Sequence, residues 1–355
     1  MLQTSALFRA VLFLLLVFLV VAGVYFAKPF LIPLCFGALL AMLFLPLSRW
    51  LERKHIPKGL AILICILVLL SIISIVALLI SWQVTDLTGE VSNIQNRLRQ
   101  MLNEVEQYIS THFGIPVKQQ EKLLQQQAQN SVANGVLANM GPALLGLLVD
   151  FILCLVYIFL FMYYRSRIKK FILQLIPGQQ QENAQQILHD IQKVTQLYLT
   201  GIGLMILCLW VMYSIGFSIV GVKYAVFFAI LCGLLEIVPF VGNFTGNMLA
   251  IVMVIIQGGG TAMILAVLLT YAIVQFLQTY LLEPLVVGAE VNINPLFTII
   301  ILVLGELIWG IPGMILAIPL LGIVKIVCDH IEPLKPYGFL IGHERKMKKP
   351  LRRQQ

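Results

Sequence analysis

The chain has 355 residues, of which 60% are hydrophobic and only 11% are charged, and its formal net charge is +8. Soluble domains carry about 25% charged residues. Here the deficit is concentrated in long charge-free stretches, which excludes a soluble fold and predicts an all-α polytopic membrane protein. The basic residues flank these stretches or lie in the C-terminal tail, so the positive charge does not indicate a nucleic-acid partner.

Three apolar segments open the chain and form a predicted N-terminal domain, residues 1–82, with spans at 10–27, 30–47 and 59–82. Each is near the length of about 20 residues that a membrane helix needs. The first segment is too long for the core of a cleaved signal peptide and has only Arg9 before it, so it is interpreted as a span.

A polar segment, residues 83–141, follows the third span and is predicted to be an extracytoplasmic helical hairpin. Apolar residues follow a heptad spacing over 91–108, and Gly114-Ile-Pro116 then ends the helix. This apolar seam either packs the hairpin on itself or holds the subunits of a homo-oligomer together.

The remainder of the chain contains a fourth span, a polar helix and a predicted transport core. The fourth span is 142–164, and residues 165–199 are predicted to be a cytoplasmic amphipathic helix along the membrane surface. The core, residues 200–328, has clean spans at 200–220 and 261–282, each followed by a broken stretch, and 329–355 is a basic cytoplasmic tail. The chain therefore has about eight membrane segments, two of them broken or re-entrant.

The two broken stretches, 224–256 and 295–324, each carry an acidic residue with proline and glycine near the middle. A charge at the centre of a bilayer costs about 3 kcal/mol on insertion scales. Broken backbone at that depth is tolerated only inside protein or beside a water-filled cavity. The predicted helix-break residues are Pro239, Gly242, Pro284, Pro295, Gly310, Pro312, Gly313 and Pro319.

A clean span followed by a broken stretch occurs twice, which predicts the inverted repeat that is common in secondary transporters. Each broken stretch is either a re-entrant hairpin or a broken single span. Two full crossings are disfavoured because each half is short for a crossing. If both are re-entrant, the first enters from outside and the second from inside.

Loop charges predict the orientation of the chain. Segments 48–58, 165–199 and 325–355 carry four, five and eight basic residues against one, two and three acidic ones, whereas 83–141 carries four basic and five acidic residues. The positive-inside rule therefore places both termini in the cytoplasm and 83–141 outside. The predicted location is the cell (inner) membrane.

The intramembrane acidic residues are the candidates for ion coupling, because a buried carboxyl group can carry a proton or bind a cation. These candidates are Glu236, Glu306, Glu283 and Asp150. Each has a simpler interpretation, since Glu236 could cap freed backbone amides and the other three could lie at a membrane edge. Amide side chains that could line a path for a polar substrate, or bond neighbouring helices, are Asn243, Asn247, Gln275, Gln278 and Asn294.

Motifs of enzymes and cofactor sites are missing from the sequence. The six cysteines and five histidines show no metal-ligand spacing, and no nucleotide-binding loop or nucleophile elbow occurs. We therefore expect no catalytic residues, no metal and no cofactor.

Several motifs resemble those of the autoinducer-2 exporter family of multi-pass membrane transporters. The resemblance covers nearly the whole chain and is most specific over 198–328. The matching motifs are Tyr198-Leu-Thr-Gly201, Gly233-Leu-Leu-Glu236-Ile-Val-Pro239-Phe-Val-Gly242, Leu282-Glu283-Pro284-Leu-Val-Val-Gly288, Asn294-Pro295-Leu296 and Gly310-Ile-Pro-Gly-Met-Ile-Leu-Ala-Ile-Pro319. The family pattern continues with proline where this chain has Asn243, a departure that bears on substrate preference.

The resemblance implies export of a small polar signal such as autoinducer-2, and in some members exchange of sodium or lithium for protons. The first hypothesis is therefore a secondary transporter that exports a small polar metabolite with H⁺ or Na⁺ coupling. A Na⁺(Li⁺)/H⁺ antiporter, an oligomeric channel-like pore and a non-transporting membrane scaffold are the alternatives. The expected partners are the lipid bilayer, the solute with its ion, and further copies of the chain.

Overall fold

A computed structural model describes residues 6–88, 133–239, 241–287 and 293–342. Within these ranges the regular elements are helices, and the one isolated bridge joins Ile293 and Gly342. The predicted heptad seam at 91–108 and the tail from 343 onward lie outside the described residues.

The described helices are numbered here in chain order. They are α1 (Ala6–Phe26), α2 (Lys28–Arg53), α3 (Lys58–Thr88), α4 (Ala133–Gln174), α5 (Gln181–Val220), α6 (Ala225–Leu235), α7 (Val241–Ile256), α8 (Thr261–Leu277), a π-helical segment (Gln278–Val287), α9 (Pro295–Trp309), α10 (Ile311–His330) and α11 (Lys335–Ile341). Seven helical stretches in the described part of the chain are long and apolar enough to cross a membrane. The predicted all-α polytopic class is therefore confirmed.

The chain divides into two compact units. The first unit comprises residues 1–63, 157–205 and 281–355, and the second comprises 64–156 and 206–280. In the first unit, α10 packs on α2 and α11, and α1 packs on α2 and α9. The Trp309 indole Nε1–H donates to the Val24 carbonyl at 3.0 Å, which fixes α9 to α1.

Small residues allow the helices of the second unit to approach closely. A Cβ at Gly216 on α5 would collide with Thr270 on α8, and one at Gly233 on α6 would collide with Trp210 on α5. Close helix contacts of this kind are typical of membrane proteins, where association depends on tight van der Waals packing.

The fourth and fifth spans are longer than their apolar cores. Helix α4 runs unbroken to Gln174, and α5 begins at Gln181, so the polar residues of 181–199 are continuous with the fifth span. The chain turns at Pro177, whose φ of −54° and ψ of 144° are not helical. Proline lacks an N–H and biases the preceding residue away from helix, which explains the stop.

The first broken stretch is a helical hairpin of α6 and α7, which pack on each other. Its two ends meet, because the Lys223 backbone N–H donates to Gln257 Oε1 at 2.8 Å and Gln257 Nε2 donates to the Gly221 carbonyl at 3.3 Å. Helix α6 has 11 residues. At about 1.5 Å per residue it spans roughly half of a hydrocarbon layer of about 30 Å. The hairpin therefore returns to the side from which it entered.

The second broken stretch is also a hairpin, formed by α9 and α10 around Gly310. Gly310 has a φ of +65°, a conformation that glycine adopts without steric cost. The Asn294 backbone N–H donates to the Ile341 carbonyl at 2.8 Å, so the start of α9 lies beside the segment that follows α10. The two ends of this hairpin therefore also lie close together. Helix α10 is one of the seven described stretches that are long enough to cross a membrane, and the other six lie outside the two hairpins.

Two predicted break positions differ from the structure. Pro319 lies inside α10, and Pro284 lies inside the π-helical segment, so no helix ends at either residue. At Pro284 the ring would clash with the carbonyl four residues earlier in an α-helix, and the wider i→i+5 turn relieves that clash. At the other predicted positions, Pro295 and Pro312 occupy the first turns of α9 and α10, and Pro239 lies in the turn between α6 and α7.

Candidate transport site at the first hairpin

A polar cluster lies in the second unit where the turn of the first hairpin meets α5, α8 and the π-helical segment. The turn exists because α6 ends at Leu235 and Pro239 prevents its continuation. Gly242 then allows α7 to start against the end of α6, since a Cβ there would collide with the Leu235 carbonyl. Glu236, at the C-cap of α6, is half-buried in this turn.

Hydrogen bonds of amide side chains hold the turn against the next helix. Gln278 Nε2 donates to Glu236 Oε1 at 2.8 Å, and the Gln278 side chain is 2% exposed. Asn243 Nδ2 donates to Gln275 Oε1 across the helix pair. On α7, Asn247 Nδ2 donates to Asn243 Oδ1 at 3.1 Å, which joins both asparagines in one network.

Some oxygen atoms of this cluster are buried but unpaired. Among the described residues, Asn247 Oδ1, Gln278 Oε1 and the Tyr213 hydroxyl have no hydrogen-bond partner. Tyr213, on α5, is 1% exposed and has Asn247, Glu236 and Tyr271 as neighbours. Buried polar groups without partners cost about 1–3 kcal/mol each, so their grouping at one place makes this cluster the candidate site.

The cluster combines one carboxyl group with amide and hydroxyl groups in an apolar surrounding. A carboxyl group in such a place can hold a proton or pair with a cation. Amide and hydroxyl oxygens can accept hydrogen bonds from a hydroxylated solute or coordinate a hard cation. Proton binding and solute binding can therefore influence each other through shared hydrogen bonds.

The structure brings Glu236, Asn243, Asn247, Gln275 and Gln278 together, and it places the other predicted residues elsewhere. Asn294 caps α9, where its Oδ1 accepts the Leu296 backbone N–H at 3.0 Å. Glu283 is exposed in the π-helical segment, and Asp150 is exposed on α4. Glu306 is exposed one turn before Gly310 and makes no side-chain hydrogen bond or ion pair with the described residues.

Tyr213 is the member of the cluster that the sequence did not reveal. It lies in an otherwise apolar stretch of α5, four residues before Phe217, against which its ring packs at 5.3 Å. In sequence this spacing is typical of a core-facing aromatic pair. The sequence signal that could have identified Tyr213 is a tyrosine inside an apolar span, because a buried tyrosine hydroxyl usually has a polar partner.

The long apolar helices and the two helical hairpins define a multi-pass membrane protein. Residues 12–332 match the AI-2E family transporter profile. The chain therefore belongs to the AI-2E transporter family, as the sequence motifs predicted, and its role is membrane transport.

Curated relatives of similar length agree with this assignment. The chain is 26% identical over 338 residues to "Putative transport protein YueF" of Bacillus subtilis, with 89% of this chain and 90% of the relative covered. It is 25% identical over 311 residues to "Putative transport protein YrrI" of the same organism, covering 85% and 87%. It is 20% identical over 322 residues to "AI-2 transport protein TqsA" of Escherichia coli, covering 90% and 92%.

Proposed function

We propose that the protein is a secondary active transporter that exports a small polar metabolite or signal, of the autoinducer-2 type, with H⁺ or Na⁺ coupling. The observation that carries this proposal is the Glu236–Gln278 hydrogen bond at the turn of a returning hairpin, beside buried oxygens without partners. The name of the TqsA relative supports a cargo of the autoinducer-2 kind. Glu236 is the proposed carrier, and Asn243, Asn247 and Gln275 line the substrate position.

Coupling follows from the two states of the Glu236 carboxyl group. The ionised carboxylate accepts a hydrogen bond from the Gln278 amide, as in the structure. A protonated carboxyl group is a donor and needs an acceptor, and Gln278 Oε1 is buried and unpaired beside it. Rotation of the Gln278 amide satisfies the protonated state, so protonation rearranges the network that contacts the solute.

The transport cycle is proposed to use both hairpins in a membrane of defined orientation. Both termini face the cytoplasm of the cell in its inner membrane, as the loop charges predict. The first hairpin then opens to the outside and the second to the inside, as in an inverted repeat. Glu306, Glu283 and Asp150 are proposed as secondary coupling positions, and the working form is a homo-oligomer.

A Na⁺(Li⁺)/H⁺ antiporter is the second candidate, and one observation favours it. The unpaired atoms near Glu236 are oxygens of an asparagine, a glutamine and a tyrosine. Hard cations prefer carboxylate, carbonyl and hydroxyl oxygens as ligands. On this proposal the same site exchanges a cation for the proton on Glu236.

The test is gradient-driven flux in proteoliposomes of the full chain. Autoinducer-2, Na⁺ and Li⁺ are supplied separately with and without an imposed pH gradient. We expect wild-type flux to follow the gradient and Glu236→Gln to reduce coupled flux to the level of empty liposomes, because the amide cannot ionise. Glu332→Gln is the matched control, since Glu332 is exposed and pairs with Lys335 at 2.7 Å outside the cluster.

Each alternative predicts a different result in the same assay. A channel-like pore would conduct without a gradient and saturate weakly. A scaffold would show no flux and would tolerate Glu236→Gln. Unchanged coupled flux in Glu236→Gln would show that Glu236 is not the carrier. Glu306→Gln is measured in the same assay to find whether Glu306 of the second hairpin carries the coupling ion.

A further inference from the structure

A cavity that contains no residue of the polar cluster lies in the first unit between α2, α4 and α5. Its volume is about 300 Å³. Much of its wall is apolar, with Met42 and Leu45 from α2, Ile168 and Ile172 from α4, and Leu188 from α5. Apolar walls of this size can take part of an acyl chain.

Three cations line the same cavity beside the last turns of α2. They are Arg49 on α2 and Arg165 and Lys169 on α4. Glu52 accepts a hydrogen bond from Arg165 Nη2 at 2.5 Å and another from Ser48 Oγ at 2.9 Å, which fixes the guanidinium group. The other guanidinium nitrogen, Arg165 Nη1, is buried and has no hydrogen-bond partner among the described residues.

Positive charge extends beyond this cavity. An adjoining cavity of about 350 Å³ shares Arg49 and Gln192 with the first and adds Arg53 and Lys193. No carboxylate appears in the lining of either of these two cavities, and Glu52 pairs with Arg165. Two neighbouring cavities with cations and an apolar wall favour a ligand that is anionic at one end and apolar at the other.

We propose that this cavity binds an anionic phospholipid. The phosphate contacts the side chains of Arg49, Arg165 and Lys169, and one acyl chain lies along the apolar wall. Basic pockets between membrane helices near the headgroup level bind anionic lipid headgroups by this chemistry. The chain's own tail from residue 343 onward does not fit, because it carries six basic residues against one acidic residue and would be repelled.

The experiment measures lipid binding to the full chain purified in detergent. Dioleoyl phosphatidylglycerol is the titrated ligand. Dioleoyl phosphatidylcholine, which has the same acyl chains but no net charge, is the first control. Inorganic phosphate, which represents the headgroup without acyl chains, is the second control. Thermal unfolding and native mass spectrometry report stabilisation and the number of retained lipids. The test variant is Arg49→Gln with Lys169→Gln, since Arg165→Gln would also leave Glu52 without its partner.

Arg167→Gln is the matched control. It removes one positive charge from the same helix, but Arg167 is exposed and does not line the cavity. We expect phosphatidylglycerol to raise the unfolding temperature of the wild type and of Arg167→Gln. We expect the double variant to bind phosphatidylglycerol about thirtyfold more weakly, because the interactions of two basic residues with the anionic lipid are lost. Transport activity is not needed for either readout.

Three results would overturn the proposal. Equal stabilisation by phosphatidylcholine would mean that the cations do not select the ligand. Equal stabilisation by inorganic phosphate would identify a free anion as the occupant. A change in the mass of the protein assembly in the double variant, with lipid binding unchanged, would identify a second copy of the chain.

Discussion

At the scale of single residues, the Tyr213 hydroxyl is the sharpest probe of the polar cluster. The residue is 1% exposed, and its hydroxyl has no hydrogen-bond partner among the described residues. We expect Tyr213→Phe to change the unfolding temperature little, because the hydroxyl has no hydrogen bond of standard geometry and only its weaker contact with Asn247 is lost. We expect the KM for the transported solute to rise about two- to tenfold, the effect of one hydrogen bond.

The control for this prediction is Tyr198→Phe. Tyr198 is also buried on α5, but it belongs to the first unit and not to the cluster. Flux at varied solute concentration in proteoliposomes, with unfolding scans on the same preparations, measures both effects. A lower unfolding temperature with an unchanged KM would assign the Tyr213 hydroxyl a structural role only.

Individual side chains of the cluster were predictable to different degrees. Glu236 and the two asparagines were predicted from the sequence because a charge and amides beside a proline break are costly in an apolar stretch. Tyr213 was not, because sequence spacing shows which residues share a helix face but not which helix that face meets. Asn294 was predicted to line the substrate path, yet an asparagine before proline at a helix start is also the pattern of an N-cap, which the structure shows.

At the scale of elements, both hairpins depend on glycines in backbone contact. A Cβ at Gly242 would collide with the Leu235 carbonyl, and a Cβ at Gly313 would collide with the Gly305 carbonyl. Backbone atoms cannot move aside as a flexible side chain can. We expect Gly242→Ala and Gly313→Ala each to destabilise the protein by about 1–3 kcal/mol, the typical cost of overpacking.

Gly203→Ala provides the comparison for these variants. Gly203 lies inside α5, and a Cβ there would meet nothing within 4 Å. Alanine in a helix interior is more stable than glycine by about 0.5–1 kcal/mol, so this variant should be unchanged or stabilised. The unfolding temperatures of the variants are compared with that of the wild type in the same detergent. Equal changes for Gly203→Ala and Gly242→Ala would show that the hairpin contact is not tight.

The π-helical segment is a second element whose form depends on one residue. Pro284 lies in it, and Gln278 is its first residue. With Pro284→Ala we expect the segment to become α-helical, because the N–H is restored and the ring clash is removed. The register between Gln278 and the following residues then changes, which should weaken the Gln278–Glu236 bond and reduce coupled flux.

Hydrogen exchange over 278–287 and proteoliposome flux test this prediction together. Pro33→Ala is the matched control, since Pro33 is buried inside α2 and lies outside the cluster. Stronger amide protection with undiminished flux would show that the π-helical form has no part in transport. Pro284 was predicted to break the helix, because a proline alone does not reveal whether a helix ends, kinks or widens at that point.

At the scale of the whole molecule, the long apolar helices were predictable and the path of the broken stretches was not. Apolar length predicted the long helices. Loop charge predicts an orientation, which stays a prediction until labelling tests it. Whether a stretch of two short helices returns or crosses depends on contacts between its ends, such as Gln257 with Gly221 and Lys223. Those contacts join residues far apart in the chain, and no local pattern encodes them.

Returning hairpins lead to a specific pattern of exposure in the membrane. Single cysteines in a cysteine-free chain are placed at Lys223 and Gly260, at the two ends of the first hairpin, and at Lys54 and Tyr337. All four positions are exposed. In intact cells a membrane-impermeant maleimide should label the first two, because both ends of the first hairpin face outside on the proposed orientation. The maleimide should label Lys54→Cys and Tyr337→Cys only after permeabilisation, because these positions face the cytoplasm on the proposed orientation.

Two other labelling patterns would contradict this expectation. Labelling of Lys223→Cys and Gly260→Cys from opposite sides would mean that the first hairpin crosses the membrane. Labelling of Lys54→Cys and Tyr337→Cys in intact cells, with Lys223→Cys and Gly260→Cys labelled only after permeabilisation, would invert the proposed orientation.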